Sequence, residues 1–517
     1  MMSNRNTDIL FLLIKSLEKA EKRSFKLYIK RSSAKEDLKI IQLFDAIDKL
    51  IGYDEKVLLK KLPTIEKPQL ANLKTHLYKQ ILASLRLLKS TENIDLQLNE
   101  QLDYARILYN KGLKLQSLRI LERVKEIART YNKFSFLTQV ITLEKKIETL
   151  HITRSTLEKT AHLAIEAVEV SDRISRVTKL SNLALQLYGW YVKNGHARNE
   201  EDEVDVKAFF KQNLPQKIDS ESGFYEKLYL YQSYVWFAFI RQDFIMYYRY
   251  SQKWIDLFTA EPTMIEVETG HYIKGLHNLL NAHFDLRNFS KFESTLKEFE
   301  AFAETAVAKH HDNFRIHTFV YISAAKINQC LMLGTFKEGL TLIPHIDEKL
   351  TEYELYIDYH RVLVFNYKVA TLYFGSGNYS IAIDYLQKII NHNVGLRNDL
   401  QCYARLMHLM AHYELGNHNI IEYLIKSVYR FMAKMQNLTV IEEEMFKFLR
   451  RSFSISPRKM QPEFVTFLAT IKQYEKSRFE TRAFAYLDII SWVESKVHNK
   501  TMAAIIHDKY LASKHNN

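Results

Sequence analysis

Residues Leu363–Val394, LVFNYKVATLYFGSGNYSIAIDYLQKIINHNV, decide the fold of this chain. The stretch is typical of two amphipathic helices joined by a turn at Gly375–Tyr379. The small residues Ala370 and Ala382 fall where two helices cross closely. Bulky residues at helical spacings fill the space around that crossing, namely Tyr373, Tyr379, Leu386 and Ile389. The segment therefore predicts a helical hairpin whose apolar side needs a partner.

The same residues resemble the tetratricopeptide repeat, a helix–turn–helix unit of about 34 residues. The positions that match the repeat pattern are Ala370, Tyr373, Gly377 with Asn378, Tyr379, Ala382, Leu386 and Ile389. A single unit of this kind does not bury its apolar face, so the resemblance implies neighbouring units. It also implies a right-handed solenoid of helical hairpins that binds a peptide or a protein on its inner face.

Weaker copies of the hairpin can be aligned by their turns. The candidate turns lie near Gly112, Gln242–Phe244, Arg287–Phe289, Gly334–Phe336, Gly377–Tyr379 and Gly416–His418. The last five are separated by about 39 to about 47 residues, which is longer than the tetratricopeptide period and close to that of HEAT-like arrays. With 13 glycines and 7 prolines in 517 residues, the chain has few breakers, and we expect an all-α fold.

The pattern predicts three parts, a small helical module over residues 1–90, a TPR-like α-solenoid over 93–453 and C-terminal capping helices with a polar tail over 463–517. The polar, acidic stretch Asn194–Asp205 is expected to be a surface loop inside the array. A polar last element is what a repeat array needs to shield its final apolar face.

Basic residues are concentrated in the first module. Residues 1–90 hold 19 Lys and Arg against 10 Asp and Glu, a net charge of +9, out of +13 for the whole chain. A short helix is expected over Asp8–Leu17, and Glu18–Lys30 continues or restarts it. On a helix, six of the basic residues form a stripe, Lys15, Lys19, Lys22, Arg23, Lys26 and Lys30. Such a stripe suits nucleic-acid phosphates or an acidic protein partner, and an ordinary solvated helix has the same pattern.

The search for chemistry gives no catalytic, cofactor or metal residues. Neither a Walker pattern nor a dinucleotide fingerprint can be written with these glycines. His408 and His412 have metal-binding spacing but no glutamate between them, and they are interpreted as core or groove histidines. His310 and His317 share a predicted helical stretch, a coincidence that nineteen histidines in a long helical protein are expected to produce. We therefore expect a protein that is not an enzyme.

The composition favours a cytoplasmic protein, as does the short N-terminal apolar run Ile9–Ile14, which is briefer than a typical signal-peptide core. Cys330 and Cys402 lie far apart in apolar segments, which indicates a reducing compartment. No stretch approaches the roughly 20 apolar residues of a bilayer span, so no membrane partner is expected. The frequent Lys, Ile, Asn and Tyr are typical of an AT-rich bacterial genome.

The functional prediction is a non-catalytic scaffold that binds a peptide segment or a protein domain. Peptide-groove candidates are Tyr367, Thr371 and Met410. Members of the resembled family that clamp a terminal carboxylate carry Lys, Arg and Asn at such positions, and Tyr367 and Thr371 lack an ionised donor. The alternative is a regulator whose residues 1–90 contact nucleic acid while the array senses a peptide or protein.

Overall fold

The computed structural model describes residues 8–31, 35–63, 65–151, 157–215, 222–354, 356–391, 397–435, 438–452, 455, 460–477, 479–480, 484 and 486–515. Within these ranges the regular elements are helices and no strand occurs, which confirms the predicted all-α fold. The polypeptide divides into two compact units, residues 1–170 and 171–517. Where the predicted three parts begin and end stays a prediction.

The helices, in chain order, are α1 Ile9–Ser16, α2 Lys19–Lys30, α3 Lys35–Asp48, α4 Glu55–Lys61, α5 Lys67–Lys89, α6 Ile94–Asn110, α7 Lys114–Thr130, α8 Phe134–Leu150, α9 Leu157–Asn194, α10 Glu200–Asn213, α11 Phe224–Ile240, α12 Phe244–Ala260, α13 Thr263–Val267, α14 Thr269–Asp285, α15 Phe289–Ala303, α16 Ala306–Lys309, α17 Asp312–Leu333, α18 Phe336–Leu340, α19 Ile343–Glu352, α20 Tyr359–Gly375, α21 Tyr379–Ile390, α22 Asn398–Glu414, α23 His418–Lys434, α24 Val440–Ser452, α25 Met460–Lys472, α26 Ile489–Val497 and α27 Met502–His515.

In the first unit, helices α1 to α5 enclose one apolar core. Phe25 of α2 and Phe44 of α3 meet there with ring centroids 4.8 Å apart. The side chain of Asp54 accepts hydrogen bonds from two backbone amides of the first turn of α4, which fixes where that helix begins. Helices α6, α7 and α8 then pack as consecutive antiparallel neighbours, joined by tight turns at Gly112 and Asn132.

In the second unit, neighbouring helices pack in pairs that follow chain order. The pairs are α11 with α12, α14 with α15, α17 with α18, α20 with α21 and α22 with α23. First helices also pack on one another, α14 on α17, α17 on α20 and α20 on α22, while the first pair meets the next through α12 and α14. Consecutive pairs thereby bury a continuous apolar core, as the hairpin at Leu363–Val394 requires.

Every predicted turn joins two helices through a residue with positive φ. Glycine fills this position at Gly112, Gly334, Gly377 and Gly416, whereas Gln242 and Arg287 adopt φ of 56° and 53° without being glycine. This left-handed conformation allows the next helix to reverse direction within three or four residues. The predicted turn positions are confirmed, and Asn132, with φ of 55°, is an additional turn of the same kind.

The C-terminal helices pack far back along the sequence. Helix α27 lies against α17, where its backbone closely approaches Gly334. Nδ1 of His507 is 3.1 Å from the carbonyl oxygen of Leu333, and the ring of Tyr510 meets that of Phe289 edge-on at 4.7 Å. Residues 502–515 therefore form a docked helix and not the polar tail that the sequence predicts.

Two further sequence expectations are wrong. The predicted surface loop Asn194–Asp205 ends early, because Asn199 caps α10 and the following acidic residues form its first turn, where the helix dipole favours negative charge. His310 ends α16 and His317 lies in α17, so they do not share one helix. The basic stripe spans two helices, since α1 ends at Ser16 and α2 begins at Lys19, which is the restart that the sequence left open.

Candidate functional site

A cavity of about 610 Å³ lies inside the second unit. Its walls come mainly from α9, α11 and the first helices of three later pairs, α14, α17 and α20, and from the C-terminal residues Phe484, Tyr486, Asp488, Met502 and Ile506. Successive pairs turn the same side of their first helix inward, so side chains that are distant in sequence meet around one space. The volume is in the range of sites that bind small molecules or short peptide segments.

One end of the cavity carries a group that we call the cationic cluster, formed by Lys274, Tyr321 and Arg361. The ammonium nitrogen of Lys274 lies 5.3 Å from the ring centre of Tyr321 and 5.6 Å from that of Trp236. Nη2 of Arg361 donates a hydrogen bond of 3.1 Å to the hydroxyl of Tyr321. Burial acts to raise the pKa of Tyr321, but the nearby charges of Lys274 and Arg361 lower it by a larger amount, so the pKa is below its usual value.

A second group, the aspartate cluster, is formed by Asp285, Asn328 and Lys368. The ammonium group of Lys368 donates a hydrogen bond to Oδ1 of Asn328. Burial lowers the pKa of Lys368 to about 8 and raises the pKa of Asp285 to about 7. Among the described residues, Oδ2 of Asp285 is buried and has no hydrogen-bond partner.

Tyr486 closes the cavity on the C-terminal side. Its hydroxyl donates a hydrogen bond to Oδ2 of Asp399, and its ring stacks on Tyr403 at 4.5 Å and 9°. Burial acts to raise the pKa of Asp399, but Arg397, whose Nε donates to it at 2.9 Å, more than offsets burial and holds that pKa below its usual range. The hydroxyl of Tyr367 donates to the backbone oxygen of Tyr486 at 3.0 Å. These contacts fix the C-terminal wall.

Two of the three predicted peptide-groove residues line this cavity. Tyr367 and Thr371 are one turn apart on α20, and the Thr371 hydroxyl donates to the Tyr367 carbonyl oxygen at 2.9 Å. Met410 is fully buried in α22 and is not part of the cavity wall. Their role in binding stays a prediction.

Sequence reasoning missed the charged residues of the cavity. Lys274, Asn278, Asn281 and Asp285 lie at positions i, i+4, i+7 and i+11 of α14, and all four line the cavity. A row of polar residues along one side of a largely apolar helix is the signal that could have indicated an inward-facing polar surface.

The predicted basic stripe is partly neutralised by α3. Nζ of Lys22 lies 2.7 Å from Oδ1 of Asp48, and Nζ of Lys26 lies 2.6 Å from Oδ1 of Asp45. Lys15 donates to the backbone oxygen of Asp48 at 2.7 Å. The remaining stripe residues Lys19, Arg23 and Lys30 are exposed, and none of them forms an ion pair with another residue that the structure describes.

The two predicted histidine pairs differ in geometry. The rings of His408 and His412 meet edge-on at 4.6 Å on α22, and burial lowers the pKa of His408 to about 4. Burial likewise lowers the pKa of His317 to about 4, while His310 is exposed. Within the described ranges, no group of three or more His, Cys, Asp or Glu side chains is arranged to hold a metal ion.

No protein-family model matches this chain, and a comparison with curated proteins gives no significant match. In the part of the chain that the structure describes, no helix combines the length and the apolar character that a bilayer span requires.

Proposed function

We propose that this protein is a non-catalytic scaffold that binds a peptide segment of a partner protein in the cavity of residues 171–517. The observation that carries this proposal is a cavity of about 610 Å³ built from the same side of successive first helices. We further propose that the pairs form a right-handed solenoid of TPR-like hairpins. The residues of Leu363–Val394 and the positive-φ turns support this assignment.

The physical basis of the proposed binding is a surface that is ordered before the partner arrives. The cavity side chains project from helices and contact one another, as Lys274 contacts Tyr321 and Lys368 contacts Asn328. Little side-chain entropy is then lost by the protein on binding, so most of the contact energy is available for affinity.

A peptide-display selection on the full chain tests the proposal. Ala324 lines the cavity, and Ala324→Trp would fill it, whereas Ala301 is exposed on α15, so Ala301→Trp is the matched control. We expect peptides selected on the wild-type protein to bind Ala301→Trp equally well and to lose at least tenfold in affinity for Ala324→Trp. Equal binding to both variants, or the absence of any selected peptide, would contradict the proposal.

Nucleic-acid contact through residues 1–90 is the second candidate function, favoured by the exposed Lys19, Arg23 and Lys30. Exchanging all three for Glu should reduce binding of the full chain to DNA and RNA and flatten its salt dependence, because fewer counterions are released. A variant with Glu at the exposed Lys79, Lys111 and Lys145 is the control. The absence of measurable nucleic-acid binding by the wild type at low salt would contradict this second candidate function.

A further inference from the structure

Lys368 presents its side-chain amine to the interior of the cavity. It lies on α20 one helical turn from Val364 and one turn from Thr371, and all three side chains line the cavity wall. Its only hydrogen-bond partner among the described residues is Oδ1 of Asn328 on α17, to which Nζ donates. No carboxylate in the described part of the chain lies within ion-pair distance of this nitrogen. The amine therefore has one neutral partner and faces an open space.

These surroundings favour the neutral form of the amine. An amide oxygen accepts a hydrogen bond from a neutral amine as well as from an ammonium group, whereas a carboxylate partner holds the charged form. Leu331, one turn after Asn328, and Phe365, one turn before Lys368, make the adjoining wall apolar. Burial lowers the pKa of Lys368 to about 8 although Asp285 acts to raise it. A neutral lysine amine is a nucleophile that adds to carbonyl groups.

Asp285 supplies a proton donor and acceptor in the same cavity. It lines the cavity wall, and its Oδ2 is buried with no hydrogen-bond partner among the residues that the structure describes. Arg287 and Lys368 act to lower the pKa of this carboxyl, but burial outweighs them and raises the pKa to about 7. A carboxyl group with this pKa is present in both protonation states at neutral pH, which suits it to donate and to accept protons during a reaction.

We propose that Lys368 binds a small aldehyde covalently, as an imine that forms inside the cavity with Asp285 as the proton donor. The amine nitrogen forms a bond to the carbonyl carbon, the carbonyl oxygen takes a proton from Asp285, and the nitrogen returns a proton to the Asp285 carboxylate. Asp285 then protonates the hydroxyl of this carbinolamine. The C–O bond breaks, water leaves, and the nitrogen lone pair completes a protonated imine beside the Asp285 carboxylate. The exchange of oxygen for nitrogen is reversible and needs no oxidant or reductant.

The cavity wall favours an aldehyde with an aromatic or other apolar body. The rings of Trp236, Phe239 and Tyr247 line the cavity, with the ring centre of Phe239 lying 6.2 Å from that of Trp236 and 4.8 Å from that of Tyr247. Aromatic side chains of this kind bind a ligand ring through offset and edge-to-face contacts. This inference goes beyond the proposed peptide binding and does not depend on it.

Benzaldehyde and sodium cyanoborohydride, added together to the full chain near neutral pH, test the inference. The hydride reduces an imine to a stable secondary amine, which peptide mass spectrometry locates in the sequence. Lys79 and Lys111 are exposed and serve as references within the same molecules. We expect Lys368 to be modified about ten times faster than either reference or more, because an exposed lysine is almost entirely protonated at this pH. Modification of Lys368 at the rate of the references, or more slowly, would overturn the proposal.

The nucleophile is tested with Lys368→Arg, which keeps the positive charge but removes the primary amine. The fast-reacting site should disappear in this variant and persist in Lys337→Arg, at an exposed position of α18. Fast labelling of the cavity that survives in Lys368→Arg would contradict the assignment.

The proton donor is tested with Asp285→Asn. Removing the negative charge favours the neutral amine, so a loss of nucleophile cannot explain a slower reaction. We expect labelling of Lys368 to slow by about tenfold or more, while Lys79 and Lys111 react as before. An unchanged or faster rate at Lys368 would show that Asp285 is not the proton donor. Display-selected peptides that bind in the cavity would leave the proposed function standing whatever the aldehyde result.

Discussion

At the scale of single residues, the cavity holds two ionisable groups whose burial disfavours their charged forms. Burial raises the pKa of Asp285 from 3.8 to about 7, although Arg287 and Lys368 act in the other direction. Burial lowers the pKa of Lys368 from 10.5 to about 8. Groups with pKa values near neutrality in a cavity are more frequent at functional sites than elsewhere, and they make the stability of the fold sensitive to pH.

The pKa of Asp285 predicts how stability depends on pH. Below about pH 4 the carboxyl is protonated in both states, and between pH 4 and pH 7 only the unfolded chain loses the proton, so stability falls as pH rises through this window. Above pH 7 the free energy of unfolding stays reduced by the full amount, because the carboxyl is then ionised in both states. Asp285→Asn should therefore stabilise the protein, and its advantage should grow by about 3 kcal/mol between pH 5 and pH 8.5, because two pH units of this window lie below pH 7 and each contributes about 1.4 kcal/mol.

Chemical denaturation of both proteins at the two pH values measures this difference. Asp256→Asn, at an exposed carboxyl on α12, is the control and should show no such trend. A constant or shrinking advantage of Asp285→Asn with rising pH would show that Asp285 is ionised in the folded protein throughout.

At the scale of elements, the turns are the features that local sequence determines best. A turn between antiparallel helices needs a left-handed residue, and Gly112, Gly334, Gly377 and Gly416 supply it at little cost. Helix ends, caps and apolar spacing are also local, so the helices could be predicted. The turn at Asn132 was missed, although asparagine adopts the left-handed region more readily than Gln242 or Arg287, whose turns were predicted.

Gly334 has a second role that local sequence does not show. A Cβ atom at Gly334 would lie 2.5 Å from the backbone oxygen of Ala503 in α27, whereas at Gly416, also left-handed, no atom comes closer than 3.8 Å. Gly334→Ala and Gly416→Ala should both lose about 1 kcal/mol from backbone strain. Only Gly334→Ala should also displace α27.

Hydrogen exchange of residues 502–515 separates the two effects. We expect faster exchange of the α27 amides in Gly334→Ala and unchanged exchange in Gly416→Ala, with both variants folded by circular dichroism. The same protection of α27 in both variants would mean that the close approach at Gly334 does not hold this helix.

At the scale of the whole molecule, the cavity could not be predicted because its residues meet only through packing. Tyr367 and Thr371 were predicted from the repeat pattern of one hairpin, and both line the cavity. Lys274 and Asp285 belong to another pair, and Tyr486 lies 119 residues after Tyr367. Contacts of such sequence separation leave no periodic signal, so one hairpin indicates an inner surface but not its charges or its C-terminal wall.

The proposed peptide site lies among the first helices α14, α17 and α20. A crystal structure of the full chain with the tightest display-selected peptide shows where the peptide binds. We expect peptide density inside the cavity, in contact with Lys274, Arg361 and Thr371. Peptide density on α2, on the second helices of the pairs or on any other surface outside the cavity would contradict the proposed function.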